Sequence, residues 1–208
     1  AEAPAHAFSP DQWRIVRRMI HTTGDFTLMD AVRFSPDAVA AGIAALHGCR
    51  PLVVDSNMIR SGISLPRLRG VCGFYRKESL ICHIADPDIE RTARRTGLPR
   101  SLHALEKARP FLSGGIAAFG NAPVALMALS RMIVEEGILP ALVIAMPVGF
   151  VHVVESKEEI MALGVPCIAL AGRRGGSPLA VSVIHALCSL AAEEMARAAG
   201  GPKDDHRT

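Results

Sequence analysis

The chain has 208 residues, half of them hydrophobic and only 4% aromatic, which suits one domain with a core of Ala, Val, Leu and Ile. Lys and Arg number 23 against 20 Asp and Glu, and a net charge of +3 does not mark a nucleic-acid binder, although it is compatible with an acidic substrate. The apolar stretches are too short to span a bilayer, and Ala1–Phe8 carries no basic region followed by an apolar one, so neither a membrane span nor a signal peptide is expected.

Ser9-Pro10-Asp11-Gln12 opens a helix: Ser9 caps it, Pro10 suits its first position and Gln12 completes a capping box. Trp13, Val16 and Ile20 share one face at helical spacing, and the helix runs into His21. Ser35-Pro36 starts a second helix that stops near Gly48. Leu52–Val54 reads as a strand, followed by a short helical segment around Ser56–Ser61 and a basic, irregular stretch over Leu65–Glu78. Leu80–Ala85 is a strand, Asp86-Pro87 begins a helix that ends at Gly97, and Ser101 caps the next helix, which ends near Gly114. Then come a strand at Ile116–Phe119, a helix at Pro123–Glu136 and a strand at Leu142–Met146. Ser156-Lys157-Glu158-Glu159 reads as a second capping box, opening a short helix up to Gly164. A strand at Cys167–Leu170 and a long helix at Pro178–Ala199 complete the chain. The polar tail Gly200–Thr208 and the leading residues Ala1–Phe8 are expected to be flexible.

Five apolar runs separated by helices predict an α/β fold with a parallel five-stranded sheet covered on both faces, in a single domain over 1–208. Ligands of such sheets bind outside the carboxyl ends of the strands. Those ends are Asp55–Ile63, Gly120–Pro123, Pro147–Phe150 and Gly172–Ser177, all rich in Gly, Pro and polar residues. Backbone N–H groups around Asn121 are expected to face a bound anion, and Arg173 and Arg174 to pair with carboxylates. Tight strand-to-helix turns require the same residues, so the pattern alone also fits plain turn geometry or a phosphometabolite-binding protein. Nucleotide-binding glycine motifs and a nucleophile elbow are absent. The five cysteines, Cys49, Cys72, Cys82, Cys167 and Cys188, lack metal-site spacing and are expected to be reduced thiols of a cytoplasmic protein. His21 stands out by position, closing an amphipathic helix ahead of Thr22-Thr23-Gly24-Asp25, where a plain dipole partner is the commoner role.

Five motifs in order carry a more specific signal. They are Arg18-Met19-Ile20-His21-Thr22-Thr23, Asp55-Ser56-Asn57-Met58 with Ser61-Gly62-Ile63, Gly120-Asn121-Ala122-Pro123, Met146-Pro147-Val148-Gly149-Phe150 with Glu155-Ser156-Lys157, and Gly172-Arg173-Arg174-Gly175-Gly176-Ser177. From about Arg18 to Leu187 the chain resembles the precorrin-8X methylmutase family of cobalamin biosynthesis. The resemblance implies a flavodoxin-like three-layer fold, a homodimer, and an isomerase that moves a methyl group from C11 to C12 of precorrin-8X or cobalt-precorrin-8. The product would be hydrogenobyrinate or cobyrinate, with no cofactor, metal, nucleic acid or membrane involved. The family's catalytic histidine falls on His21, as general acid, and its substrate-contacting arginine on Arg100, where Pro99 replaces the family's threonine.

The substrate-binding set implied is Arg18, Thr22, Met58, Ile63, Ser64, Arg100, Ser101, Asn121, Ala122, Pro147, Gly149, Phe150, Lys157, Arg173, Arg174, Gly175 and Ser177. Met58, Ile63, Val148 and Phe150 are candidates for an apolar floor under the ring. Three features depart from the family pattern: a Glu-x-x-Ser-Phe-like motif is not found, Leu68–Lys77 is longer and more basic, and His152-Val153-Val154 is bulkier. Ile20-His21-Thr22-Thr23 with Asp25-Phe26 leans toward the anaerobic, cobalt-precorrin branch. The alternative is a non-catalytic corrinoid-binding or carrier homologue.

Overall fold

The computed structural model describes residues 4–199. The predicted flexible tail and the first three leading residues lie outside that range. Of the remaining leading residues, Pro4 to Ala7 are exposed, although the His6 ring stacks on Trp13, and Phe8 meets Phe34 edge-on.

Nine α-helices and six strands are described, in the order α1 (Pro10–Thr23), β1 (Val32–Phe34), α2 (Ala38–His47), β2 (Leu52–Val54), α3 (Asn57–Gly62), α4 (Leu65–Arg69), β3 (Leu80–Ile81), α5 (Pro87–Thr96), α6 (Arg100–Ala108), β4 (Ile116–Phe119), α7 (Pro123–Glu136), β5 (Leu142–Ala145), α8 (Val153–Ala162), β6 (Cys167–Leu170) and α9 (Ser177–Ala199). The sheet order is β1-β6-β5-β4-β2-β3. Strands β2 to β6 run parallel, and numbered among themselves they read 2-1-3-4-5, the flavodoxin-like order.

The expected five-stranded parallel sheet is therefore corrected to a six-stranded mixed one. Its extra member, β1, pairs antiparallel with β6 through Val32 opposite Leu170 and Phe34 opposite Ile168. Ser35 extends that pairing, its N–H donating to the Cys167 carbonyl and its hydroxyl accepting the Cys167 N–H, both at 2.9 Å. Ser35 is therefore unavailable as a cap, and α2 begins at Ala38.

Alternation along the strands divides the core into two faces. Leu52, Val54, Ile116, Ala118, Leu142, Ile144, Ile168 and Leu170 join α1, α2 and α9 on one side. Val53, Ala117, Phe119, Val143, Ala145, Cys167 and Ala169 join α6, α7 and α8 on the other. The result is three layers, with every residue of β2, β4, β5 and β6 buried. Helix α9 has 23 residues and a mean hydropathy of 1.4, so by length and composition it could cross a membrane, contrary to the expectation from the sequence. Its apolar content is used internally, because α9 packs against α1, α2, α3 and the sheet.

Other boundaries move for local reasons. The box at Ser156 does not open α8, which begins at Val153 behind His152, a residue in left-handed conformation at φ 58°. Ser156 is buried inside that helix and its hydroxyl donates to the Val153 carbonyl at 2.9 Å. Helix α6 starts at Arg100, so Ser101 is not its cap. Strand β3 is only Leu80–Ile81, and the stretch expected to be irregular contains α4. The expectation of five reduced cysteines fails for two of them: Cys49, just past α2, and Cys72, beyond α4, are joined in a disulfide. Packing brings their Cα atoms to 5.8 Å, and nearby Tyr75 donates its hydroxyl to the Arg50 carbonyl at 3.0 Å. Cys82, Cys167 and Cys188 are free and buried.

Candidate active site

Four strand ends meet in one rim. After β2, the enclosed Asp55 carboxylate accepts the backbone N–H groups of Gly120 (3.1 Å), Asn121 (2.7 Å) and Ala122 (2.7 Å). These donors precede α7 and would otherwise attract an anion, so here the chain supplies its own. The expectation that they face a bound ligand is corrected accordingly. Burial pushes the Asp55 carboxyl above its ordinary range, against the pull of those same donors. Ser56 caps α3 by accepting the Ile59 N–H at 3.2 Å, and its hydroxyl lies 2.9 Å from that of Ser177 at the start of α9. Only glycine fits at 120, because a Cβ there would stand 2.7 Å from the Ser177 Cα.

The loops after β5 and β6 are laced together. The Gly176 N–H donates to the Met146 carbonyl (2.7 Å) and the Gly149 N–H to the Arg173 carbonyl (3.2 Å). The Arg173 guanidinium lies 5.8 Å from the centre of the Phe150 ring, which is 85% exposed. Lys157, from α8, is fully buried and its ammonium donates to the carbonyls of Gly172 (2.9 Å) and Arg174 (2.7 Å). Burial lowers its pKa to about 8. Arg174 turns toward the exit of α1, donating to Asp25 Oδ2 and Thr27 Oγ1 (both 2.6 Å) and to the Thr27 carbonyl (3.1 Å). Hydrogen bonds from Thr27, and then Arg174, hold the Asp25 carboxyl below its ordinary value.

Beside this rim lies a second, less occupied region. Helix α1 is opened by the Ser9–Gln12 capping box and closed by Gly24, whose φ of 68° lets its N–H bond the Ile20 carbonyl. This places His21 on the exposed last turn. The groove between α1 and α9, about 270 Å³, is lined by Arg14, Arg17, Arg18, His21, Ala186 and Ser189. Arg14 is spoken for, forming a two-pronged ion pair with Glu193. Arg18 also walls a neighbouring cavity of about 310 Å³ between α1, α3 and α9, together with Thr22, Met58, Gly62, Pro178, Val181, Ser182 and His185. Burial, then the nearby Arg67 charge, lowers the Arg18 pKa, although a guanidinium remains cationic. His185 Nε2 accepts the Ser64 N–H at 2.9 Å. Burial, followed by the charges of Arg18 and Arg67, lowers the His185 pKa to about 4.

Arg100 and Ser101 sit elsewhere. Helix α6 packs on the face of the sheet opposite α1. Arg100 is exposed there, and Ser101 borders a small internal gap shared with Asp55, His83 and Leu105. Among the described residues, no group of three or more His, Cys, Asp or Glu side chains is placed to hold a metal ion.

The family model described as Precorrin-8X methylmutase matches residues 1–190. This chain belongs to that family. Precorrin-8X methylmutases and cobalt-precorrin-8 methylmutases are both among its relatives. The cobalt-precorrin-8 methylmutase of Leptospira interrogans is 39% identical over 201 residues, covering 92% of this chain and 89% of that protein. That of Priestia megaterium is 40% identical over 190 residues (91% and 82%), and the precorrin-8X methylmutase of Pseudomonas aeruginosa 37% over 191 residues (91% and 89%). These identities are too close to separate the two branches. The crystal structure of a precorrin-8x methyl mutase from Thermus thermophilus superposes with a TM-score of 0.83 at 42% identity, covering 93% of this chain and 91% of that one.

Within this methylmutase fold, most of the candidate residues fall into two groups. His21, Arg18, Thr22 and Met58 gather around the end of α1. Asn121, Ala122, Pro147, Gly149, Phe150, Lys157, Arg173, Arg174, Gly175 and Ser177 build the rim, although Ala122, Pro147, Lys157 and Ser177 are buried in it. Ile63 is a core residue at 6% exposure, whereas the other floor candidates, Met58, Val148 and Phe150, are exposed. Four residues make contacts that the sequence did not reveal. Asp55 was visible in a motif, but its service to α7 depends on a contact 65 to 67 positions away. The contacts of Arg174 with Asp25 and Thr27 span 149 and 147 positions, and His185, midway along an apolar helix, carries no local signal.

Proposed function

We propose that this methylmutase moves the methyl group from C11 to C12 of precorrin-8X or cobalt-precorrin-8, with His21 as general acid. Support comes from one observation above all: His21, the position of the family's catalytic histidine, ends α1 exposed in a groove whose wall carries Arg17 and Arg18. The reaction breaks the C11–methyl bond as the C12–methyl bond forms, so composition is unchanged and no nucleophile or redox partner is needed. A proton delivered to the conjugated ring draws electron density away from C11 and lowers the barrier to migration. An imidazole can both lend that proton and take it back once the product forms.

The substrate is a flat ring bearing many carboxylates. Arg18 and Arg173 offer charge to those groups, and the exposed side chains of Met58, Val148 and Phe150 offer apolar surface to the ring. Lys157 and Arg174 support this surface from behind by holding the Gly172–Gly176 loop. Exposed Phe150 and Val151, 85% and 69% accessible, also suit the homodimer that the family resemblance implies, which sedimentation would test.

The decisive experiment follows the visible spectrum of precorrin-8X or cobalt-precorrin-8 with the purified protein. Conversion to a hydrogenobyrinate- or cobyrinate-type spectrum is expected. His21→Ala should bind and not convert. Binding by wild type without conversion would leave only a corrinoid carrier.

A further inference from the structure

His185 has an unusual setting. It lies within the apolar helix α9, between Ile184 and Ala186, both buried, and its ring lines the cavity shared with Arg18, Thr22 and Met58. Because Nε2 accepts the Ser64 N–H, the ring proton of neutral imidazole must reside on Nδ1. Among the described residues, Nδ1 has no hydrogen-bond partner, so a fixed N–H donor is left without an acceptor.

The charges around it are unbalanced in the same sense. Arg18 and Arg67 both act on His185, and among the described residues neither has a carboxylate within ion-pair distance. No acidic side chain lines the cavity. Met58, Gly62, Pro178 and Val181 give it an apolar flank, and the hydroxyls of its other wall residues, Thr22 and Ser182, donate to the Arg18 and Leu179 carbonyls. A cationic end, a neutral N–H donor and an apolar flank match a carboxylate on a short alkyl stem.

We propose that His185 is a substrate-binding residue, its Nδ1–H and the Arg18 guanidinium forming a subsite for one peripheral carboxylate of the corrinoid. This rests on the methylmutase reading. His185 holds its tautomer through Ser64, at the junction of α3 and α4, so the donor is aimed before the ligand arrives.

The test is a visible-spectrum titration with hydrogenobyrinate, together with proton–nitrogen NMR of His185 in the wild-type protein. His185→Leu should weaken binding by about tenfold, the worth of one hydrogen bond to a charged group. His185→Gln, which retains an acceptor for Ser64 and a donor for the ligand, should recover most of that loss. An analogue with its peripheral carboxylates converted to amides should be disfavoured by wild type and less so by the Leu variant. NMR should find the proton on Nδ1. Equal affinity of wild type and the Leu variant, or a proton on Nε2, would overturn the subsite and leave the methylmutase reading intact. Absence of any wild-type response to hydrogenobyrinate would overturn that reading and the subsite with it. Should His185→Leu fail to fold, the Gln variant and the NMR measurement decide: unrecovered binding in a folded Gln variant with an Nε2 proton refutes the assignment.

Discussion

Around Asp55 the N–H groups that precede α7 already have an acceptor, and the Lys157 ammonium and Arg174 guanidinium are occupied by neighbouring loops. Between α1, α4 and α9 the pattern differs: Arg14 pairs with Glu193, but Arg18 and Arg67 have no acidic partner among the described residues, and His21 is exposed. Both regions carry Arg and other polar side chains, yet one satisfies itself and the other, in the reading proposed above, offers its free groups to a ligand. A polar group paired inside the protein contributes to stability, whereas one poised toward a ligand contributes to binding or chemistry. Substitution of the internally paired rim groups, Asp55, Lys157 and Arg174, should therefore cost stability, and groove substitutions should cost function.

The largest effect expected is on the groove side. His21→Ala should lower turnover by about 10²–10⁴-fold with little change in the urea midpoint, read by visible spectra and denaturation on the same preparation. A comparable loss of stability would break the contrast. On the rim, Asp55→Ala leaves several enclosed N–H groups without an acceptor and should cost about 3 kcal/mol in urea unfolding. Asp55→Asn, which keeps an acceptor oxygen, should cost less. A similar loss, about 3 kcal/mol, is expected from Cys72→Ser, which frees the loop closed between Cys49 and Cys72, and thiol titration of the unfolded wild type should detect the bridged pair only after reduction.

Lys157 sharpens the contrast through pH. Its pKa is lowered by burial to about 8, so between that pH and its ordinary 10.5 the folded protein holds fewer protons at this site than the unfolded chain. Its contribution to stability therefore rises with pH across that window and is least below it. Urea unfolding from about pH 7 to about pH 10 should show such a rise in wild type, set against a Lys157→Met control that lacks it. The smallest effect belongs to Arg174→Ala. Its pair with Asp25 is about half exposed, so about 0.5–1 kcal/mol is expected, with loosening confined to the Gly172–Gly176 loop in hydrogen exchange.

Local rules carried far in this chain. The capping box at Ser9 is legible because Ser9 and Gln12 are three positions apart, and the buried strands are legible because uninterrupted apolar runs such as Leu142–Ala145 fit little else. The same motif misleads at Ser156, where packing buries the serine and His152 sets the true start of α8. His21 is a candidate because of its family motif, whereas nothing in the neighbours of His185 announces that Ser64 will reach it.

By itself, then, the sequence determined the alternation of strands and helices, the buried character of the sheet and the family, because each rests on contiguous residues. The tertiary structure alone decided that β1 joins β6 as an antiparallel edge, that Cys49 meets Cys72, that Asp55 occupies the donors ahead of α7, and that Arg100 lies on the face opposite His21. Each of those depends on which distant segments share a face or an edge, and chain periodicity is silent about partners that only packing brings into reach.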